Sequence, residues 1–175
     1  AEPTLHPELT EFIRIGFEHG HNCILITNGL RLSSQPFVDK VEATGLKHVY
    51  MSLNGIDNDD WYEQIDEMRC ATKKIKAFIN CKDKFNMNAG IILVKGINEE
   101  APRAAFDLIT REKVPDITLR FKNVGQLGRY QKDADENLKM ADMVKLCADQ
   151  LGFTEDYPKA QESLKDYKLE LVYRF

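Results

Sequence analysis

The 175-residue chain lacks several patterns that identify a class of protein at once. It has no apolar run long enough to cross a membrane and no signal peptide, so we expect a cytoplasmic protein. Its formal charge of −4 comes from 24 basic and 28 acidic residues, which are interspersed along the chain. Without a patch of one sign, neither a nucleic acid nor a membrane is an expected partner.

Cysteine is also sparse, and its spacing does not indicate a disulfide framework or a metal site. The chain has four cysteines in segments with core or helix patterns: Cys23, Cys70, Cys81 and Cys147. Such scattered thiols are typical of a reducing compartment. His19 and His21 precede Cys23, but they lie where a helix ends and a strand begins, away from the face where barrel sites form. We therefore predict no metal site there.

What the chain does contain is a regular alternation of strand and helix patterns. Apolar strands are predicted at 23–26, 48–53, 85–94 and 117–121, and an amphipathic pattern follows each of them. The pattern at 58–79 fits either one long helix or two shorter ones. The strand at 23–26 is predicted to be buried on both faces. Strands joined by helical crossovers lie parallel in one sheet with helices outside it, which predicts an α/β fold.

The C-terminal part of the chain departs from this alternation. Residues 122–133 form a long loop, and such a loop in a compact domain is either functional or disordered. Apolar and polar residues alternate over 169–175, which predicts an edge strand with one solvent-exposed face. We expect a single domain over 1–175, with a core of about 1–152 and an extension of about 153–175.

Polar residues stand at the end of each predicted strand and at the very start of the chain. They are Glu2, Asn28, Ser52 with Asn54, Lys95 with Asn98, and Arg120 with Gln126. Parallel strands end on the same side of a sheet, so these residues are expected to converge on one face. That face is where α/β barrels and open parallel sheets bind ligands.

Four short motifs occur in order along the first two-thirds of the chain. The opening Ala-Glu-Pro-Thr-Leu-His-Pro-Glu, residues 1–8, resembles the Gly-Gly-Glu-Pro motif of radical S-adenosylmethionine (radical SAM) enzymes. The Thr-Asn-Gly turn at 27–29 and the strand end Ser-Leu-Asn at 52–54 fall where that superfamily has them. Lys-Gly-Ile-Asn at 95–98 resembles a turn of its molybdenum-cofactor-biosynthesis branch. Four motifs in sequence are more specific than one.

The resemblance implies a partial (β/α) barrel of parallel strands and a radical mechanism. In that superfamily a 4Fe–4S cluster passes an electron to S-adenosylmethionine, and the resulting 5′-deoxyadenosyl radical abstracts a hydrogen atom from the substrate. The cofactors supply this chemistry, while the protein supplies ligation, orientation and exclusion of water. The implied electron donor is a protein such as flavodoxin or ferredoxin. The substrate, a small molecule, peptide or protein, is not identified.

The resemblance also assigns cofactor-binding roles to individual residues. Ala1 and Glu2 would lie at the methionine amine, and Ser52 and Asn54 at the ribose or the methionine carboxylate. The backbone of Val94 and Gly96 and the loop of Gln126 are candidates for adenine, and Asn28 is a further candidate. Independently of the resemblance, Arg120 interrupts an apolar strand, and its guanidinium group could clamp a carboxylate.

Several of these roles have a structural alternative. Glu2 could cap the helix behind it, and Ser52 and Asn54 could end a strand by bonding local backbone. Asn28 belongs to a common turn dipeptide, and Arg120 could pair with a structural acid.

One departure from the superfamily pattern is important. Its members hold the cluster with Cys-x3-Cys-x2-Cys, and this spacing does not occur here. We expect the cluster loop to lie upstream of Ala1 and the chain alone to be inactive. The alternative hypothesis is a noncatalytic α/β module, derived from the same barrel, that binds a small ligand or a partner.

Overall fold

In the part of the chain that the structure describes, four parallel strands form a sheet, and they are paired in the order in which they occur in the chain. The computed structural model describes residues 2–114, 117–123 and 138–152. The strands are β1 (Ile24–Thr27), β2 (His48–Ser52), β3 (Asn86–Leu93) and β4 (Ile117–Asn123). All three neighbouring pairs are parallel, which confirms the prediction from the helical crossovers.

Helices connect the strands. They are α1 (Leu9–Glu18), α2 (Gln35–Glu42), α3 (Asp59–Asp66), α4 (Ala71–Cys81), α5 (Ala101–Arg111) and α6 (Met140–Leu151), with 3-10 turns at Pro3–Leu5 and Leu30–Ser33. The pattern at 58–79 thus corresponds to two helices. Asn58 caps the first through bonds from the backbone N–H groups of Asp60 and Trp61. Glu67, with a left-handed φ of 56°, ends it.

The helices cover one face of the sheet, and the core lies between the helices and that face. The strand residues that point into this core are buried and apolar: Leu25, Val49, Met51, Met87, Ala89, Ile91, Leu93, Ile117 and Leu119. The alternate residues point away from the core. On β1 these are Ile24 and Ile26, which are 59% and 63% exposed. The prediction that strand 23–26 is buried on both faces is therefore wrong, because a short apolar run does not reveal whether one face or both are covered.

Several predictions fall on residues outside the described ranges. They are the C-terminal strand at 169–175, most of the loop at 122–133, Ala1 and Gln126. The division into a core and an extension likewise stays a prediction. Within the described ranges, no helix combines the length and the apolar character needed to span a membrane. All four cysteines are free thiols.

Candidate functional site

An open cleft lies at the carboxyl ends of β1 and β2. Its volume is about 460 Å³, and its lining residues are Glu2, Ile26, Thr27, Asn28, Tyr50 and Ser52. Three of the predicted site residues, Glu2, Asn28 and Ser52, therefore meet in one place although they are distant in sequence. The topology causes this, since parallel strands end at a common edge.

The carboxylate of Glu2 ties the first 3-10 turn to the end of β1. Its Oε1 accepts hydrogen bonds from Thr4 N (2.9 Å), Thr4 Oγ1 (2.6 Å) and Thr27 Oγ1 (2.7 Å). Its Oε2 accepts one from Asn28 N at 2.7 Å. Burial raises the pKa of this carboxyl group, but the hydrogen bonds outweigh burial and leave its pKa below the ordinary value. Glu2 is therefore both a cap and an ionised group at the cleft.

The turn that follows β1 uses the side chain of Asn28 and requires a glycine. Asn28 Oδ1 accepts a hydrogen bond from Leu30 N at 3.0 Å. Gly29 has a left-handed φ of 79°, and a Cβ there would come within 2.4 Å of Met51 Sδ. Asn28 thus both stabilises the local turn and lines the cleft.

Tyr50 is a cleft residue that the sequence predictions missed. Its ring crosses β3 at Gly90, where an added Cβ would lie 2.1 Å from the phenol oxygen. The ring centroid lies 4.8 Å from Lys122 Nζ and 5.8 Å from Arg120 Cζ. A glycine within an apolar strand often marks such a close approach. Gly90 was therefore the sequence feature that could have indicated a side chain crossing β3 at this point.

Arg120 lies on β4, in register with Gly90, and faces Tyr50. It is not one of the residues that line the cleft at β1 and β2. Its predicted role as a carboxylate clamp stays a prediction.

The side chain of Asn54 lies inside the protein rather than in the cleft lining. It is 3% exposed. Its Nδ2 donates to Asp66 Oδ1 (2.8 Å), and its Oδ1 accepts from Ile92 N (3.0 Å). Asn54 thereby joins the segment after β2 to α3 and β3.

Asn98 organises the turn that contains Val94 and Gly96. Its Oδ1 accepts from Val94 N (2.7 Å), and its Nδ2 donates to Asn54 O (2.9 Å) and Ile92 O (2.8 Å). Gly96 takes a left-handed φ of 75°, and its N–H donates to Glu99 Oε2 at 3.1 Å. The N–H groups of both Val94 and Gly96 are thus used within the turn.

The described residues do not provide a site for an iron–sulfur cluster. Among them, no three His, Cys, Asp or Glu side chains come close enough together to hold a metal ion. Cys70 and Cys81 lie at opposite ends of α4, Cys147 belongs to α6, and Cys23 precedes β1. We assign no cluster ligand to this chain.

Two relatives match most of the chain. GTP 3′,8-cyclase of Chlorobaculum tepidum is 31% identical over 142 residues, which are 75% of this chain and 39% of the cyclase. The S-adenosyl-L-methionine-dependent tRNA 4-demethylwyosine synthase of Methanocaldococcus jannaschii is 30% identical over 156 residues, 82% of this chain and 46% of the synthase. The chain spans less than half the length of either relative.

Solved structures show the same fold. A structure of TYW1 with a bound lysine–pyruvate adduct superposes with a TM-score of 0.64 at 22% identity, covering 88% of this chain and 48% of the other. This agreement confirms the predicted partial barrel of parallel strands with alternating helices. The sequence pattern of the Radical SAM superfamily matches residues 1–109, a range that includes every residue lining the cleft. The chain therefore belongs to the Radical SAM superfamily.

Proposed function

We propose that the cleft at the ends of β1 and β2 binds S-adenosylmethionine, and that the complete gene product is a radical SAM enzyme. The observation that carries this proposal is the meeting of Glu2, Thr27, Asn28 and Ser52 at one edge of the sheet. Superfamily membership supports it, because the matched range contains all four residues. S-adenosylmethionine carries an amine, a carboxylate, a ribose diol and an adenine, and each of these groups needs a different partner.

The cleft offers a suitable group for several of these needs. Glu2 is ionised, and among the described residues its Oε2 accepts one hydrogen bond, from Asn28 N, so it retains capacity for the methionine amine. The Ser52 hydroxyl can donate or accept and suits the carboxylate or the ribose. Ile26 and Tyr50 add apolar surface on the open side. Ala1 remains a second candidate at the amine.

The other candidates take supporting roles in this proposal. Asn54 holds the strand end that carries Ser52, because its amide is bonded to Asp66 and to the backbone of Ile92. Since the N–H groups of Val94 and Gly96 are engaged, their turn would offer adenine a carbonyl oxygen. Arg120 and Gln126 remain candidates for further contacts.

A bound 4Fe–4S cluster would supply the electron for reductive cleavage of the C5′–S bond of S-adenosylmethionine, with methionine as the leaving group and hydrogen abstraction from the substrate as the outcome. The described residues of this chain bind and orient S-adenosylmethionine and restrict water around it. We propose that the cluster ligands lie outside this chain, because the chain spans less than half the length of either relative. The electron donor in this proposal is a flavodoxin or ferredoxin. Cys-x3-Cys-x2-Cys in the upstream reading frame is the expected finding.

Binding and cleavage test the proposal together. The complete gene product, reconstituted anaerobically with iron and sulfide, should bind S-adenosylmethionine and release 5′-deoxyadenosine when dithionite is added. Ser52→Ala should weaken binding about tenfold, since it removes a hydrogen bond to a charged group or a diol. Ser34→Ala is the matched control, because the Ser34 side chain makes no capping hydrogen bond to α2.

A well-formed cluster with neither binding nor cleavage would overturn the enzyme proposal. It would favour the noncatalytic α/β module in its place. Equal affinities for the Ser52 and Ser34 variants would instead remove Ser52 from the site.

A further inference from the structure

Lys74 is a buried lysine on α4 that lies next to the cleft. Its residue exposure is 2%, whereas its neighbours Lys73 and Lys76 on the same helix are exposed. Lysine is rarely buried unless its ammonium group is paired. Here Nζ donates to the carbonyl oxygen of Ser52 at 2.8 Å and lies 5.3 Å from the centroid of the Tyr62 ring.

The carbonyl that Lys74 binds lies just beyond the end of a strand ladder. Pairing between β1 and β2 ends at Thr27 and Met51, one residue before Ser52. The next two N–H groups after β1 bond to other acceptors. Asn28 N donates to Glu2 Oε2, and Gly29 N donates to Thr27 Oγ1. Lys74 therefore supplies a donor to Ser52 where β1 no longer does. This is also the place where the cleft opens between the two strands.

Nearby side chains partly offset the cost of burying the Lys74 ammonium group. Burial lowers the pKa of its ammonium group, while the nearby Asp66, Cys70 and Glu2 raise it and only partly offset burial. Glu2 lines the cleft at the end of β1. The cleft thus has a carboxylate at its β1 end and a buried ammonium group beneath its β2 end.

We propose that Lys74 is a positioning residue that orients the amino-acid end of S-adenosylmethionine, an inference that rests on the function proposed above. Its bond to the Ser52 carbonyl holds the Ser52 hydroxyl at the cleft, and its positive charge favours the methionine carboxylate on the β2 side. Glu2 favours the methionine amine on the β1 side. This separation of charge matches the zwitterion, and the effect is strong because the ammonium group is shielded from water.

A ligand that lacks the carboxylate tests this role directly. Lys74→Met keeps the apolar stem and removes the charge. We expect it to weaken binding of S-adenosylmethionine about tenfold and binding of decarboxylated S-adenosylmethionine less than about twofold. Lys74→Arg should restore the preference for the carboxylate. Lys76→Met, on the exposed side of α4, is the matched control and should behave like the wild type.

The outcomes separate this inference from the proposed function. If the wild type does not bind S-adenosylmethionine, the function proposed for the cleft is wrong. If the wild type binds it and Lys74→Met weakens both ligands equally, Lys74 is merely structural and the inference is wrong.

A measurement on the wild type covers the case in which Lys74→Met does not fold. In cluster-free protein with 13C-labelled lysine, the Lys74 Cε resonance should shift on adding S-adenosylmethionine and much less on adding the decarboxylated form. Equal shifts with the two ligands would overturn the inference.

Discussion

Asn98 shows how much one buried side chain organises at the edge of the sheet. It has no exposed surface and bonds the backbone of Asn54, Ile92 and Val94. Asn98→Ala would leave these three backbone groups, two of them in buried bonds, without this partner, so we expect a loss of about 3 kcal/mol in the free energy of unfolding. Urea denaturation measures this. Asn86→Ala, on an exposed residue of β3, is the control, and an equal loss in both variants would contradict the prediction.

Gly90 and Tyr50 form a second residue-level pair. A methyl group at position 90 would lie 2.1 Å from the Tyr50 oxygen and 2.6 Å from Cζ, and a rigid ring cannot yield as a flexible chain does. We expect Gly90→Ala to destabilise the wild type by about 1–3 kcal/mol. In a Tyr50→Ala background the same change should cost much less. A double-mutant cycle of unfolding free energies tests this coupling, and additive costs would disprove the contact.

At the scale of elements, Glu2 joins the first 3-10 turn to β1. The pKa of Glu2 is lowered in the folded state, so its ionised form stabilises the fold above the carboxyl group's ordinary pKa of 4.5. This contribution is lost as pH falls through the lower, folded-state pKa. Glu2→Gln should therefore be less stable than the wild type at pH 7, and the difference should shrink as the solution is acidified.

Urea midpoints of both proteins between neutral and strongly acidic pH measure this effect. The exposed Glu8→Gln is a suitable control, because Glu8 makes no side-chain capping bond at the start of α1. A difference between wild type and Glu2→Gln that does not change with pH would contradict the assignment of the stabilisation to the ionised carboxylate.

At the scale of the whole molecule, β1 is an edge of the described sheet. It pairs with β2 alone among the described strands, and Ile24 and Ile26 are exposed beside it. Unpaired strand edges with apolar side chains favour association between copies. We expect the 175-residue chain to self-associate at high concentration and Ile24→Lys to reduce this association, as sedimentation velocity would show.

Ile79→Lys is the matched control for this prediction. Ile79 is 40% exposed on α4, away from the sheet edge, so the same change there should leave association as it is in the wild type. A wild-type chain that stays monomeric at high concentration would count against an exposed edge.

The order of strands and helices, their parallel arrangement and the superfamily were all predictable from the sequence. Each depends on local signals, namely apolar periodicity, turn residues such as Gly29, and short motifs. The convergence of Glu2, Asn28 and Ser52 followed as well, because a parallel sheet brings its strand ends together whatever the side chains are.

Only the tertiary structure decided which polar residues face the cleft and which are held inside. Asn54 and Ser52 stand two positions apart, yet Asn54 is bonded to Asp66 and to β3, 38 positions further on, while Ser52 lines the cleft. Lys74 meets Ser52 across 22 positions. Local periodicity predicts which face of α4 is buried, but it does not predict which backbone group the residues on that face will contact. Such pairings depend on the register and packing of distant segments, which are set only when the whole sheet forms.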